Sequence, residues 1–84
     1  MKTIRLTKHA REQAGERGAS EAEVLETIRK GSREPAKRER ELCRYNFTFR
    51  KNWQGKPYAI KQVAAVIKEE PNEIVAITVY TFYF

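Results

Sequence analysis

His9, Gln13 and Arg17 recur at four-residue intervals in "TKHAREQAGERGAS", residues 7–20. On a helix, residues so spaced stand one above another along a single side. A stripe of imidazole, amide and guanidinium can hold a phosphate and move a proton. His9 is the only histidine of the chain, and a lone histidine on a short helix is more often a surface group than a catalytic one. Arg17 also has a reading without a ligand, as a cation complementing the negative end of a helix.

Charge raises the case for chemistry on a polyanion. The 84 residues carry a formal charge of +6, and the excess is concentrated in residues 31–61, with nine basic against three acidic side chains. A basic segment of this kind suits phosphate neutralisation, with an acidic protein as the other natural partner. All eleven acidic residues are Glu, and there is one Cys and one His. That inventory supplies neither a disulfide nor an ordinary metal cage, so the expected chemistry needs no metal and no cofactor. Glycine-rich phosphate loops, nucleophile elbows and zinc motifs are not found in the sequence.

RNA cleavage without a metal requires three things. A base removes the 2′-hydroxyl proton, an acid protonates the leaving 5′-oxygen, and cations or donors surround the phosphorus as charge builds on its oxygens. His9 is the candidate for proton transfer, Arg17 and Lys61 for stabilising the phosphorane, and Thr78 and Tyr80 for placing the phosphate through hydroxyls on one face of the last strand. Lys8, Arg11, Arg44, Arg50, Lys51 and Lys56 are candidate RNA-binding cations. Trp53, in a turn among Arg50, Lys51 and Lys56, is a candidate for stacking an unpaired base.

These residues need elements to hold them. A short strand over Lys2–Leu6 precedes a helix capped by Thr7, running to Glu16 and turned inward at Ala10 and Ala14, with Gly18 just past its end. "SEAE" is a capping box, Ser20 at the N-cap and Glu23 three residues on, starting a helix with Val24, Leu25 and Ile28 inward and Gly31 at its close. "SREPAKRERE", residues 32–41, lacks an apolar period and contains Pro35, which predicts a charged connection or a mobile loop. In "LCRYNFTFR" Cys43, Tyr45, Phe47 and Phe49 alternate with polar residues, the pattern of a strand with one wet face. "NWQGKP" is a turn, residues 58–68 a second strand, "EEPNE" another turn, and "IVAITVYTFYF" a third strand. The expectation is one α+β domain over residues 1–84: two short N-terminal helices on one face of a three- to four-stranded antiparallel sheet.

The stretch "LTKHAREQAGERGASEAEVLETIRKG", residues 6–31, resembles the small domain-of-unknown-function family numbered four-two-five-eight, with its His-Ala, its Arg-Gly-x-Ser and its glycine-closed helix. "IVAITVYTFY", residues 74–83, is similar to that family's closing strand with its Thr-x-Tyr. The resemblance implies a fold like the RelE-type messenger RNA interferases and the wider barnase, EndoU and colicin-type ribonuclease toxins. It further implies metal-independent RNA cleavage and neutralisation by a cognate antitoxin. It carries His9, Arg17, Thr78 and Tyr80 into the site, and no residue between 32 and 61.

The expected function is therefore a toxin-type, metal-independent endoribonuclease acting on free or ribosome-associated RNA, with an acidic antitoxin as partner and a homodimer left open. Two alternatives stand beside it. One is an RNA-binding or regulatory module without catalysis; the other is a protein-interaction domain pairing through the edge of "VYTFYF". The chain contains no apolar run of signal-peptide or membrane-span length, so the expected setting is the cytoplasm, away from membranes.

Overall fold

The computed structural model describes residues 2–84. Chain order is β1 (Thr3–Leu6), α1 (Lys8–Glu16), α2 (Glu21–Lys30), β2 (Ser32–Ala36), β3 (Arg40–Trp53), β4 (Lys56–Glu69) and β5 (Glu73–Tyr83). The strands form one sheet in the order β1-β5-β4-β3-β2. β1 lies parallel to β5, while β2, β3, β4 and β5 pair antiparallel in sequence.

The α+β class and both helices match the sequence reading, but the sheet does not. It has five strands and is mixed, where three or four antiparallel strands are expected from the pattern. The extra strand β2 occupies the stretch expected to be a charged connection or a mobile loop, and pairs Ser32 with Arg44 through to Ala36 with Arg40. The cause is its position. An edge strand with its side chains almost wholly exposed needs no apolar period, and Pro35 is tolerated where one side of the ladder has no partner to serve. Its hairpin turns at Arg38 and Glu39, both at positive φ (62° and 60°), the geometry of a tight primed turn without the glycine or asparagine that normally signals one. β1 adds the parallel pair, a contact 70 residues apart in sequence at Thr3 with Glu73.

Both helices lie on one face. Ala10 and Ala14 of α1 and Val24 and Ile28 of α2 pack with Cys43, Val63, Ala65, Ile67, Ala76 and Val79 of the sheet to make the core. Small residues on α1 let that helix approach β5 closely, and burial of the larger aliphatics contributes about 1.5–3 kcal/mol each relative to exposure. α2 has the expected capping box, with Ser20 Oγ accepting from Glu23 N–H and Glu23 Oε1 accepting from Ser20 N–H. The second long hairpin narrows the expected "NWQGKP" turn to Gln54 and Gly55, at φ 50° and 83°, with Trp53 paired to Lys56.

Among the described residues, no helix lies on the opposite face of the sheet. By strand alternation it presents Arg44 and Asn46 from β3, Gln62 and Ala64 from β4, and Thr78, Tyr80 and Phe82 from β5. Across the strands Arg44 pairs with Ala64 and Ala64 with Tyr80, while Asn46 pairs with Gln62 and Gln62 with Phe82. Tyr80 and Phe82 remain 41% and 45% exposed. Among the described residues no helix is long and apolar enough to cross a membrane.

Candidate functional site at the edge and open face of the sheet

α1 runs beside the unpaired length of β5. β1 ends at Leu6, opposite Ala76, so β5 continues from there without a strand neighbour on that side. α1 and its two capping residues close the gap. Thr7 N–H donates to the Ala76 carbonyl at 3.0 Å. The Val79 N–H donates to Gln13 Oε1 at 3.0 Å, and Arg17 Nη1 donates to the Val79 carbonyl at 2.5 Å. Gln13 and Arg17 thus satisfy one residue of β5 on both its donor and its acceptor, as a neighbouring strand would. The His9 stripe has a structural role that its spacing alone does not disclose.

Arg17 does a second thing. Its guanidinium carbon lies 5.1 Å from the centre of the Tyr80 ring, within cation–π range, so the helix stripe reaches round the strand edge to the open face. His9, two turns earlier on α1, is exposed to solvent, as are Lys8 and Arg11. Lys8 is 3.9 Å from Glu12 and Arg11 3.5 Å from Glu21, surface pairs that hold little energy. Thr78 is half-buried on β5, paired with Val66.

Lys61 is placed apart from this corner. It points to the helix face and is only 6% exposed. Its Nζ donates to the Gly18 carbonyl and to Glu23 Oε1, both at 2.8 Å, and lies 5.3 Å from the centre of the Phe49 ring. Burial alone would raise the Glu23 carboxyl. The hydrogen bonds from Lys61 and from Ser20 N–H, with the Lys61 charge, outweigh it and hold Glu23 below its usual range. Lys61 therefore locks the α1–α2 connection onto the sheet, and of the five expected catalytic residues only Arg17 and Tyr80 are in contact.

The same connection sits under an aromatic cluster. Trp53 stacks on Tyr83 with ring centres 5.0 Å apart and an angle of 15°, and Phe49 and Tyr58 also pack on Tyr83. Tyr83 Oη and Thr81 Oγ1 both donate to the Arg17 carbonyl, at 2.6 and 2.9 Å. Burial pushes the Tyr83 hydroxyl up, which keeps it protonated as a donor. Gly18, at φ 80°, leaves no room for a side chain: a Cβ there would lie 2.6 Å from Tyr83 Oη and 2.7 Å from the Trp53 ring. Trp53 is thus half-buried with one ring face occupied from within the chain. Arg50 at φ 47° forms a bulge in β3 opposite β4, and exposes its side chain at the hairpin end with Lys51 and Lys56.

Arg44 anchors a polar chain on the open face. Arg44 Nε donates to Glu34 Oε1 at 3.1 Å, Arg44 Nη1 to Gln62 Oε1 at 3.1 Å, and Gln62 Nε2 to Asn46 Oδ1 at 2.8 Å. The Arg44 guanidinium is 5.9 Å from the centre of the Phe82 ring. Sequence reasoning singled out Arg44 but missed Asn46, Gln62 and Phe82. Alternation placed Asn46 beside Arg44, whereas the partnership with Gln62 and Phe82 depends on strand register.

The family model described as Domain of unknown function (DUF4258) matches residues 6–81. The chain belongs to the DUF4258 family. That span takes in every element from the last residue of β1 to most of β5, so the α1 edge cap, the Gly18 turn and the open face except Phe82 lie within the DUF4258 domain. No curated protein and no solved structure matches the chain.

Proposed function

We propose that this protein acts on RNA, binding a single strand across the open face of the sheet and cutting it without a metal at the corner where α1 meets β5. The observation that carries this reading is the Arg17–Tyr80 contact of 5.1 Å, which joins the exposed His9 side of α1 to the open face. A phosphate at that corner would meet a guanidinium and a phenol, with an imidazole two helical turns away. In the reaction the 2′-oxygen loses its proton to a base, bonds to phosphorus and displaces the 5′-oxygen, which takes up a proton; the products are a 2′,3′-cyclic phosphate and a 5′-hydroxyl. His9 serves one of the two transfers when the scissile phosphate lies along α1 between His9 and Arg17, and a solvent water serves the other. Arg17 stabilises the charge on the phosphorane oxygens and Tyr80 orients the phosphate.

Binding needs more than the corner. The exposed rings of Tyr80 and Phe82 offer stacking surfaces, and Arg50, Lys51 and Lys56 at the hairpin end offer phosphate contacts. As a ribonuclease of toxin type, the protein would be silenced by an acidic antitoxin covering the same basic and aromatic surface, and message on the ribosome is one candidate substrate.

One observation favours the non-catalytic alternative. Lys61 is held internally by Glu23 and Gly18, and Arg17 by the Val79 carbonyl, which leaves fewer free cations for a transition state. The two readings separate in one assay: defined RNA incubated with the protein in EDTA, followed by analysis of product ends. Cyclic phosphate ends that vanish in His9→Ala support cleavage. Binding that weakens steeply with salt, with intact RNA, supports a binding module.

A further inference from the structure

We infer that the open face selects bases carrying a keto group at the position where adenine and cytosine carry an amine, that is, uracil and guanine. The inference rests on the RNA reading above and concerns which bases that face accepts.

Its basis is the direction of the polar chain. Arginine has donors only, so Gln62 must turn Oε1 toward Arg44 Nη1, at 3.1 Å. Gln62 Nε2 is thereby turned to Asn46, which must present Oδ1 to it, at 2.8 Å. The Asn46 amide then has both Nδ2 hydrogens free, while its oxygen already accepts one bond. Each oxygen of the chain already accepts one internal bond, and the hydrogens left over outnumber the lone pairs left over: both on Asn46 Nδ2, one on Gln62 Nε2 and the remaining guanidinium hydrogens of Arg44. Arg44, Asn46 and Gln62, with Ser32 and Tyr45, line an open concavity of about 360 Å³.

An array of donors fits an array of acceptors. Guanine offers O6 and N7 side by side and uracil offers O4, whereas adenine and cytosine place an amino donor at the equivalent position. A phosphate is the weaker fit, because the Glu34 carboxylate lies 3.1 Å from Arg44 Nε and offsets its charge. The stacking surface is adjacent: Phe82 is paired across the strands with Gln62 and is 45% exposed. A base lying over Phe82 directs its edge across Gln62 toward Asn46. Tyr80 and Arg44 lie two strands apart with Ala64 between, roughly 10 Å.

The amide order can be reversed by one substitution. In Gln62→Glu the carboxylate accepts from Arg44 and from Asn46 Nδ2, which rotates the Asn46 amide and turns Oδ1 outward as an acceptor. The test is fluorescence anisotropy with labelled 2′-O-methyl octamers, which cannot be cut by 2′-oxygen attack, at one fixed ionic strength. U8 is compared with C8, and a mixed octamer carrying one guanine with the same octamer carrying adenine; folding of each variant is checked by circular dichroism. The wild type is expected to prefer U8 over C8, and guanine over adenine, by roughly fivefold or more, the size of one base-edge contact. Asn46→Ala should bind both members of each pair alike, and Gln62→Glu should shift the ratio toward C8 and adenine even as total affinity falls with the lost charge. Equal binding by the wild type, or a preference unchanged in both variants, overturns the inference. Binding to none of the octamers overturns the RNA reading as well, so the two failures are distinguishable.

Discussion

The Arg17 guanidinium reaches two groups of β5 at once, the Val79 carbonyl at 2.5 Å and the Tyr80 ring at 5.1 Å from its centre. One side chain therefore finishes the unpaired strand edge and faces the open side of the sheet. The edge role belongs equally to Gln13, whose amide oxygen takes the Val79 N–H.

Removing that amide leaves a strand donor without its partner. Gln13→Ala is expected to lower stability by about 1–2 kcal/mol, the cost of one part-buried unsatisfied group. It should also promote self-association by uncovering a pairing edge. Urea unfolding and sedimentation velocity at several concentrations check both outcomes.

Lys61→Ala should be more severe. It strands the Glu23 carboxylate and the Gly18 carbonyl, both served at 2.8 Å. Loss of a mostly buried partner of this kind costs about 2–4 kcal/mol, reduced from the fully buried case because Glu23 keeps some solvent. A shift of the urea midpoint without a change in slope is the expected signature.

The same pair sets part of the acid sensitivity. Glu23 titrates below its usual range in the folded protein, so it contributes stability that is complete above the unfolded carboxylate value of about 4.3. That contribution disappears as pH falls through the lower folded value. Glu69 and Glu73, lowered by hydrogen bonds with Lys2 and Arg5, act in the same direction. Stability measured from pH 7 to pH 3 should therefore fall less steeply in Glu23→Gln than in the wild type, without becoming flat.

Gly18→Ala tests the packing of the helix connection. The new Cβ would meet Tyr83 Oη at 2.6 Å and the Trp53 ring at 2.7 Å, at a φ of 80°. A loss of about 2 kcal/mol or more is expected from combined clash and backbone strain. A changed emission of Trp53, the only tryptophan, should accompany it.

What could be read from the sequence divides along locality. The Ser20–Glu23 capping box, the inward Ala10 and Ala14, and the alternation around Cys43 depend on neighbours within a turn or two, and all were legible. β2 was not, because an exposed edge strand containing Pro35 and turning at Arg38 and Glu39 has neither apolar period nor turn residues. The parallel β1–β5 pair and the burial of Lys61 by Glu23, 38 residues away, are long-range facts. At the site, the stripe of His9, Gln13 and Arg17 was visible from spacing, but that two of its members serve the edge of β5 is evident only once Val79 is beside them. Gln62 and Phe82 join Arg44 through register alone.

The central claim is metal-independent cleavage that depends on His9. Its most direct measurement is end-group analysis of a defined RNA incubated in EDTA with the wild type and with a His9→Ala variant of equal stability. Cleavage leaving 2′,3′-cyclic phosphates in the wild type, and abolished in His9→Ala, is the predicted result. Intact RNA with the wild type, or equal cleavage by both proteins, would contradict it.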